Sequence, residues 1–471
     1  MASPDAIVIG SGPNGLAAAI VLARAGRKVA VYEAQPTVGG GVRSAELTLP
    51  GFTHDVCSAV HPFGVASPFL RSLPLSQFGL QWVQSPAMLA HPFDDGTAAI
   101  VERSVSDTAA ALGQDRDAYG ALVGRIVDDW GRLESTILGP LAIPRHPFAA
   151  ARFGFVSLQA CSRVVRRRFR GRDARALLAG LAGHGLLPLE MRPSAGIGLV
   201  LGALAHVVGW PFPRGGAQKL TDAMAGYLTS LGGEIVTNAP VDRIDDVLAG
   251  PRVVMCDLSP RPLLRIAGHR FPRRYRRRLE RYRYGMGVFK VDWALGGPIP
   301  WRAAACSRAT TVHLGATLEE IESSERDAWT GRIAERPFVL LAQPSLFDGS
   351  RAPAGKQTVW TYCHVPNGST VDMLLRIEAQ IERFAPGFRE RVLARTVTSP
   401  ADIEQHNANL VGGDIGAGAT DMGQLFARPT WRWYSTPVRG LYLCSAATPP
   451  GVGVHGMCGY WAAQRALKES G

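Results

Sequence analysis

Apolar and polar positions fall into short blocks at both ends of the chain and again near its middle. Ala6 to Ile9 is an all-apolar run that stops at Gly10-Ser11-Gly12-Pro13-Asn14-Gly15, after which Leu16 to Ala25 is Ala/Leu-rich. A short apolar run closed by glycine predicts a buried strand, and the longer block predicts a helix. Lys28 to Tyr32 is a second apolar strand, ending in Glu33. The same grammar recurs around Pro213 to Gly216, a helix to Leu231, Gly232 to Ile235 and the strand Val253 to Asp257. It recurs once more in the strand Leu441 to Cys444, the Gly-rich loop Pro449 to Gly456 and a helix carrying Ala462, Ala463 and Ala466. Between these blocks, residues 105–210 are Ala/Leu/Arg-rich with helical periodicity. Residues 286–429 mix strands (Gly287 to Val291, Phe338 to Ala342, Gln357 to Cys363) with a helix around Val371 to Phe384. The pattern predicts an α/β chain of two discontinuous domains, one from 1–75, 211–285 and 430–471, the other from 76–210 and 286–429 with a helical insertion.

The first block carries chemistry. In strand–turn–helix context, Gly10 permits the sharp turn, Gly12 lets backbone approach a pyrophosphate, and Gly15 lets the helix pack on the strand. The helix start offers unpaired N–H groups and a positive dipole end to phosphates. Glu33 stands where a carboxylate accepts hydrogen bonds from a ribose. This is a Rossmann-like dinucleotide site. Gly39-Gly40-Gly41-Val42-Arg43-Ser44 adds a second glycine turn, where a longer dinucleotide such as FAD would pass. No second G-x-G-x-x-G stands on a strand–helix unit, so direct nicotinamide use is not expected.

Composition narrows the picture. A chain of 471 residues that is 46% apolar and 19% charged is not disordered, and its length suggests roughly two or three domains. Seven scattered cysteines, with no C-x-x-C and no zinc-type Cys/His spacing, read as reduced thiols and exclude disulfide reductase and metal chemistry. No G-x-S-x-G elbow marks a hydrolase. The amino terminus enters its first strand without a basic leader, which predicts a cytoplasmic setting. Ala195 to Trp210, at about 16 residues, falls short of the roughly 20 that span a bilayer and predicts a core helix or the wall of an apolar cavity. The net charge of +12 rests mainly on arginine, concentrated in Arg163 to Arg175 and Arg270 to Arg283. Two readings stay open for these runs: solvated helix faces, or contact with a membrane surface or acidic partner. No nucleic-acid-reading motif accompanies them, so nucleic acid is not an expected partner.

Taken in order, the motifs resemble the phytoene desaturase-like branch of the flavin amine oxidase superfamily. Gly10-x-Gly12-x-x-Gly15, Glu33, Gly39-Gly40-x-x-Arg43-Ser44 and Phe52-x-x-Asp55 are similar to its FAD-binding start. Pro213 to Gly216 with Leu220, Gly232 to Ile235 and Val241 to Ile244 are similar to its second cofactor segment, and Gly440 to Cys444 with Gly451, Gly453 and Gly456 to its carboxy-terminal flavin motif. The resemblance implies an FAD-binding domain plus an α+β substrate domain. FAD would be held by Gly10, Gly12, Pro13, Asn14, Gly15, Glu33, Ala34, Gly40, Gly41, Val42, Arg43, Val241, Ala446, Gly453, Val454 and His455. Cys444 falls inside a predicted strand, so noncovalent attachment is expected.

The implied activity is an FAD-dependent oxidoreductase that removes a hydride equivalent from a C–C or C–N bond of a largely hydrophobic small molecule, the flavin being reoxidised by oxygen or another acceptor. A redox-neutral isomerase using reduced flavin, and a membrane-peripheral flavoprotein with a mainly interaction role, are the alternatives. By the same resemblance Lys290, inside an apolar strand, would hold a water at flavin N5; otherwise it is an outward strand-edge lysine. His455 serves as an acid or base or caps the last helix. His54, His61 and His364 are further candidates to border the pocket. Phe153, Phe155, Leu158, Leu186, Leu187, Met191, Leu199, Val200, Leu201 and Trp210 are an apolar inventory, mostly core, from which a channel could be lined, and Trp431, Trp433, Tyr434 and Trp461 offer an aromatic cage for an amine.

Overall fold

The computed structural model describes residues 4–470. Ala6–Ile9 is the central strand of a five-stranded, wholly parallel sheet. In spatial order its strands are Leu441–Leu443, Val253–Cys256, Ala6–Ile9, Val29–Tyr32 and Glu234–Val236. Three stretches far apart in the chain therefore close one sheet. Parallel strands are covered on both faces and read as continuous apolar runs, which is why Ala6–Ile9 and Val253–Cys256 are buried at every position.

Helix Pro13–Arg24 leaves the first strand through Gly12, with proline at its start, where the missing N–H is no loss. Its middle, Leu16 to Leu22, is buried on all sides, because the sheet covers one flank and the last helix, Met457–Ser470, another. The two helices meet at Gly459, whose Cβ would stand 1.8 Å from the Asn14 carbonyl oxygen.

A seven-stranded mixed sheet forms the second layer system, in the order Val392–Thr398, Gly287–Leu295, Gln357–Val365, Val339–Ala342, Ala309–Leu314, Ala87–Pro92 and Ala98–Val101. Only the pairing of Ala309–Leu314 with Ala87–Pro92 is parallel. Helices between residues 105 and 207 pack beside it. Arg172–Gly183 and Ala195–Val207 approach closely at Gly198, whose Cβ would lie 3.0 Å from Ala182. The apolar stretch at 195–207 is thus a core helix, as its length predicts. The helix expected from Val371 begins instead at Leu374, whose amide is capped by Asp372 while Val371 is exposed.

Candidate functional site

One cavity of about 460 Å³ runs between the two sheets. Its first part is lined by Glu33, Ala34, Pro240 and Val241, its middle by Gly10 to Asn14, Gly40 to Arg43, Asp257 and Ala446. Beyond Cys57 to Phe63 and Val452 to Val454 it opens into a chamber bounded by Leu186, Ile197, Leu201, Trp210, Leu340 and Tyr362. Polar backbone thus gives way to apolar side chains along its length.

Three glycine turns meet there. A Cβ on Gly40 would lie 3.0 Å from Gly12 Cα, and one on Gly456 would lie 3.1 Å from Ala17 Cβ. Beneath the first turn, Asp257 Oδ2 accepts the Gly15 N–H at 3.0 Å, and a Cβ on Gly12 would come within 2.7 Å of the same oxygen. Burial pushes the Asp257 carboxyl up to about 7, the Gly15 amide offsetting only part of that.

Glu33 is fully engaged. Oε2 accepts Ser11 N–H at 2.9 Å and the Ser11 hydroxyl at 2.5 Å, while Oε1 accepts Gln35 N–H and Arg43 Nη2. Those four bonds use the roughly four lone-pair sites a carboxylate has. Arg43 also donates to the Thr37 and Gly40 carbonyls, so it holds the second glycine turn against Glu33.

The residues fit a dinucleotide. The first amides of a helix have no intrahelical acceptor; Pro13 has no N–H and Gly15 donates to Asp257, which leaves the Asn14 amide at the cavity's middle, with Asn14 Oδ1 buried and unpartnered. The glycines leave the backbone bare where phosphates would lie.

Among the expected residues, Gly10, Gly12, Pro13, Asn14, Glu33, Ala34, Gly40, Gly41, Val42, Arg43, Val241, Ala446, Gly453 and Val454 line this one cavity. Gly15 and His455 do not. Gly15 lies beneath the turn, and His455 Nδ1 accepts the Met457 amide at 3.0 Å as a helix cap, with burial pulling its pKa down to about 4. Lys290 is buried and ion-paired to Asp292, outside the lining, with Cys57 and Tyr362 at the wall instead. It shares a sheet face with Tyr362, its cross-strand neighbour. Asp292 in turn lies 3.6 Å from His54, and burial raises its carboxyl to about 6.

His61 lines the cavity, hydrogen-bonded to Ser58, whereas His364 is held by Glu325. Trp431, Trp433, Tyr434 and Trp461 do not line the cavity: Trp431 is exposed, and the others donate to backbone carbonyls. Trp210, Trp360 and Tyr362 supply the aromatic wall.

Sequence reasoning missed the segment Gln405 to Leu410, which crosses from the second sheet to close the cleft. Asn409 clamps it, donating to the Asp257 carbonyl and accepting from Ser259 N–H. Its only sequence signal is the asparagine pair in His406-Asn407-Ala408-Asn409. Cys444 is buried, and the lining begins at the next residue. All seven cysteines are free, and no acid, His or Cys cluster suited to a metal occurs among the described residues.

Comparison with known proteins matches residues 8–73 to the model of the NAD(P)-binding Rossmann-like domain. The chain is 27% identical to pyridine nucleotide-disulfide oxidoreductase domain-containing protein 2 of Rattus norvegicus, over 99% of this chain and 93% of that protein. It is also 27% identical to the neurosporene-forming phytoene desaturase of Rhodobacter capsulatus, over 55% of this chain and 54% of that one. In fold it is similar to putrescine oxidase bound to putrescine, with a TM-score of 0.62 and 19% identity over 99% of this chain and 98% of that chain.

Proposed function

From the premise that this chain belongs to the flavin amine oxidase and phytoene desaturase-like family and is an FAD-dependent oxidoreductase, we propose that it binds FAD noncovalently and oxidises a C–C or C–N bond of an apolar small molecule. The nucleotide domain would comprise 1–75, 211–285 and 430–471, and the substrate domain 76–210 and 286–429. One observation carries this reading: a single cavity joins a glycine-lined, polar half to an apolar chamber.

Bound FAD supplies the acceptor for two electrons and a proton equivalent. The chain supplies position. The Asn14 amide at the helix start would face the pyrophosphate, the Gly15 amide being held by Asp257, and Glu33 would accept from a ribose hydroxyl in the place now taken by the Ser11 hydroxyl. Val452 to Val454 and Cys57 to Phe63 border the redox end, while Trp210, Trp360 and Leu340 exclude water from the substrate. The test is a spectrum of the purified protein followed by anaerobic mixing with amines, polyenes and polycyclic alcohols. Yellow protein bleached by one class supports the proposal. Protein that stays colourless when supplied with FAD ends it.

Asp257 gives the cofactor site a pH dependence. Its carboxyl is neutral below about 7 and ionises above, placing negative charge under the pyrophosphate. FAD affinity is expected to fall by about tenfold between roughly pH 6 and pH 8, as a charge a few ångströms away in a partly buried site dictates. Asp257→Asn should flatten that profile in fluorescence titrations. By linkage, a carboxyl raised from its ordinary 3.8 destabilises the fold increasingly as pH climbs from about 3.8 to about 7.

Lys290 is proposed to hold positive charge behind Cys57, near the redox end. Lys290→Met combined with Asp292→Asn, which avoids a buried unpaired carboxylate, is expected to slow oxygen-dependent reoxidation about tenfold or more with FAD content unchanged. Stopped-flow rates equal to those of the parent would remove that role.

A peripheral membrane setting also has an observation in its favour. Ile143, Phe148 and Phe155 are exposed by 95%, 84% and 76%, on or just before helix Pro147–Ser157. Phe155 shares a groove with Arg163, Arg167 and Arg168, which pair with no carboxylate among the described residues, although Arg166 pairs with Glu319 and Glu322. No helix among the described residues is long and apolar enough to cross a membrane. Protruding aromatics beside unpaired arginines suit an anionic lipid surface. Flotation with anionic vesicles, weakened by salt and lost in Phe148→Ser/Phe155→Ser, is the expected result; indifference to both changes would count against it.

A further inference from the structure

The apolar chamber contains a pair of histidines that the cofactor site does not use. His184 closes the carboxy-terminal end of helix Arg172–Gly183 and lines the chamber beside Trp210. His313 lies on the strand Ala309–Leu314, two residues beyond the lining residue Thr311 and so on the same face. The two Nε2 atoms are 3.0 Å apart. Between neutral imidazoles such a bond requires one Nε2 to donate and the other to accept.

The far side of His313 decides which. Its Nδ1 is buried without a partner, against Gly180, where a Cβ would come within 2.5 Å of it. A buried N–H lacking an acceptor is rarer and more unfavourable than an unused ring lone pair. The proton of His313 therefore stays on Nε2 and is donated to His184. His184 Nε2 is the acceptor, so its own proton resides on Nδ1, for which the protein provides no partner. Burial holds His184 at about 3 and His313 well below the ordinary imidazole range, so neither supplies charge. The acidic residues lining the cavity, Glu33, Asp242 and Asp257, all belong to its nucleotide end.

We infer that His184 offers an N–H donor to the substrate chamber and recognises a neutral oxygen acceptor, a carbonyl or hydroxyl, on an otherwise apolar substrate, with His313 as the positioning residue that sets its tautomer. This rests on reading the cavity as a substrate chamber. Leu186, Ile197, Leu201 and Leu340 make the surroundings apolar, so a ligand without oxygen leaves the donor unsatisfied. The same geometry disfavours a protonated amine, which would meet a donor and no carboxylate.

The test compares 2-octanone with octane, followed by tryptophan fluorescence of the purified protein, since Trp210 and Trp360 line the chamber; flavin absorbance is recorded separately. The parent should bind the ketone about tenfold more tightly than the alkane. His184→Phe should erase the difference and His184→Gln, which keeps a donor, should retain much of it. Nitrogen-15 spectra of the histidine rings should show His313 protonated at Nε2 and His184 at Nδ1 in the parent. His313→Leu should abolish the ketone preference and His313→Gln restore it. If His313→Leu does not fold, the parent spectra and His184→Phe still decide. Equal affinities in the parent, a preference untouched by His184→Phe, or a proton on His313 Nδ1 would overturn the inference. Protein that is bleached by substrate yet shows no ketone preference sinks this inference alone, whereas ketone preference in protein unable to bind FAD sinks the functional reading alone.

Discussion

Gly15→Ala is expected to give a protein that retains no FAD and melts about 3 °C or more below the parent. The added Cβ would stand 2.0 Å from the Gly10 carbonyl oxygen and 3.1 Å from Asp257 Oδ2. Neither neighbour can withdraw: Gly10 is pinned by its N–H bond to the Tyr32 carbonyl, and Asp257 by the Gly15 amide itself. Relief would require lifting the helix from the strand, undoing the turn that presents the first helical amides. Overpacking of this kind costs about 3 kcal/mol, at the upper end for one added carbon, because the obstacle is backbone. Gly131→Ala is the control, since its Cβ would meet nothing within 4 Å and the position is helical. Calorimetry and flavin absorbance on both variants check this; a yellow Gly15→Ala protein with the parent's melting temperature would show that the crossing is looser than its geometry.

Arg351→Met should destabilise the fold by about 3–5 kcal/mol, the usual consequence of leaving a buried charge uncompensated. Arg351 and Asp55 form an ion pair in which both side chains are 1% exposed. Asp55 also accepts the Ser44 hydroxyl at 2.8 Å and the Ala217 amide at 2.7 Å, and Arg351 donates to the Thr53 carbonyl. One carboxylate thus joins the hairpin after the second glycine turn, the start of helix Gln218–Ser230, and a loop of the second-sheet region. Asp55→Leu alone should be comparably damaging, while the double variant should recover part of the loss, because the mutual dependence disappears with both charges. Denaturant titrations of the four proteins give the coupling. A single variant losing under about 1 kcal/mol would mean that water reaches the pair.

The glycine turns, the strands that feed them and Glu33 were legible because each is written within a few neighbouring residues. Apolar period sets strand or helix, and glycine marks where backbone must be bare. Lys290 shows where such reading stops. Its place in an apolar strand and its pairing with Asp292, two residues on along the same face, are local and visible in the chain, but the presence of Cys57 and Tyr362 at the wall depends on strand pairing and the packing of distant segments. The aromatic cluster at 431–461 failed for the same reason: nearness to a flavin-type motif in sequence did not turn those rings toward the cavity, because Trp433 and Tyr434 answer carbonyls of their own segment, Trp461 answers the distant Leu138 carbonyl, and Trp431 is exposed.

By itself the sequence determined the α/β class, the strand–glycine–helix crossing and the reduced cysteines, all of which follow from local conformational preference and composition. Tertiary structure alone decided the strand order 441–253–6–29–234, the closure of the cleft by Gln405 to Leu410, and the meeting of the His184 and His313 rings. These are outcomes of burial: polar groups hundreds of residues apart must find one another once water is excluded, and no short-range pattern records which partner each will meet.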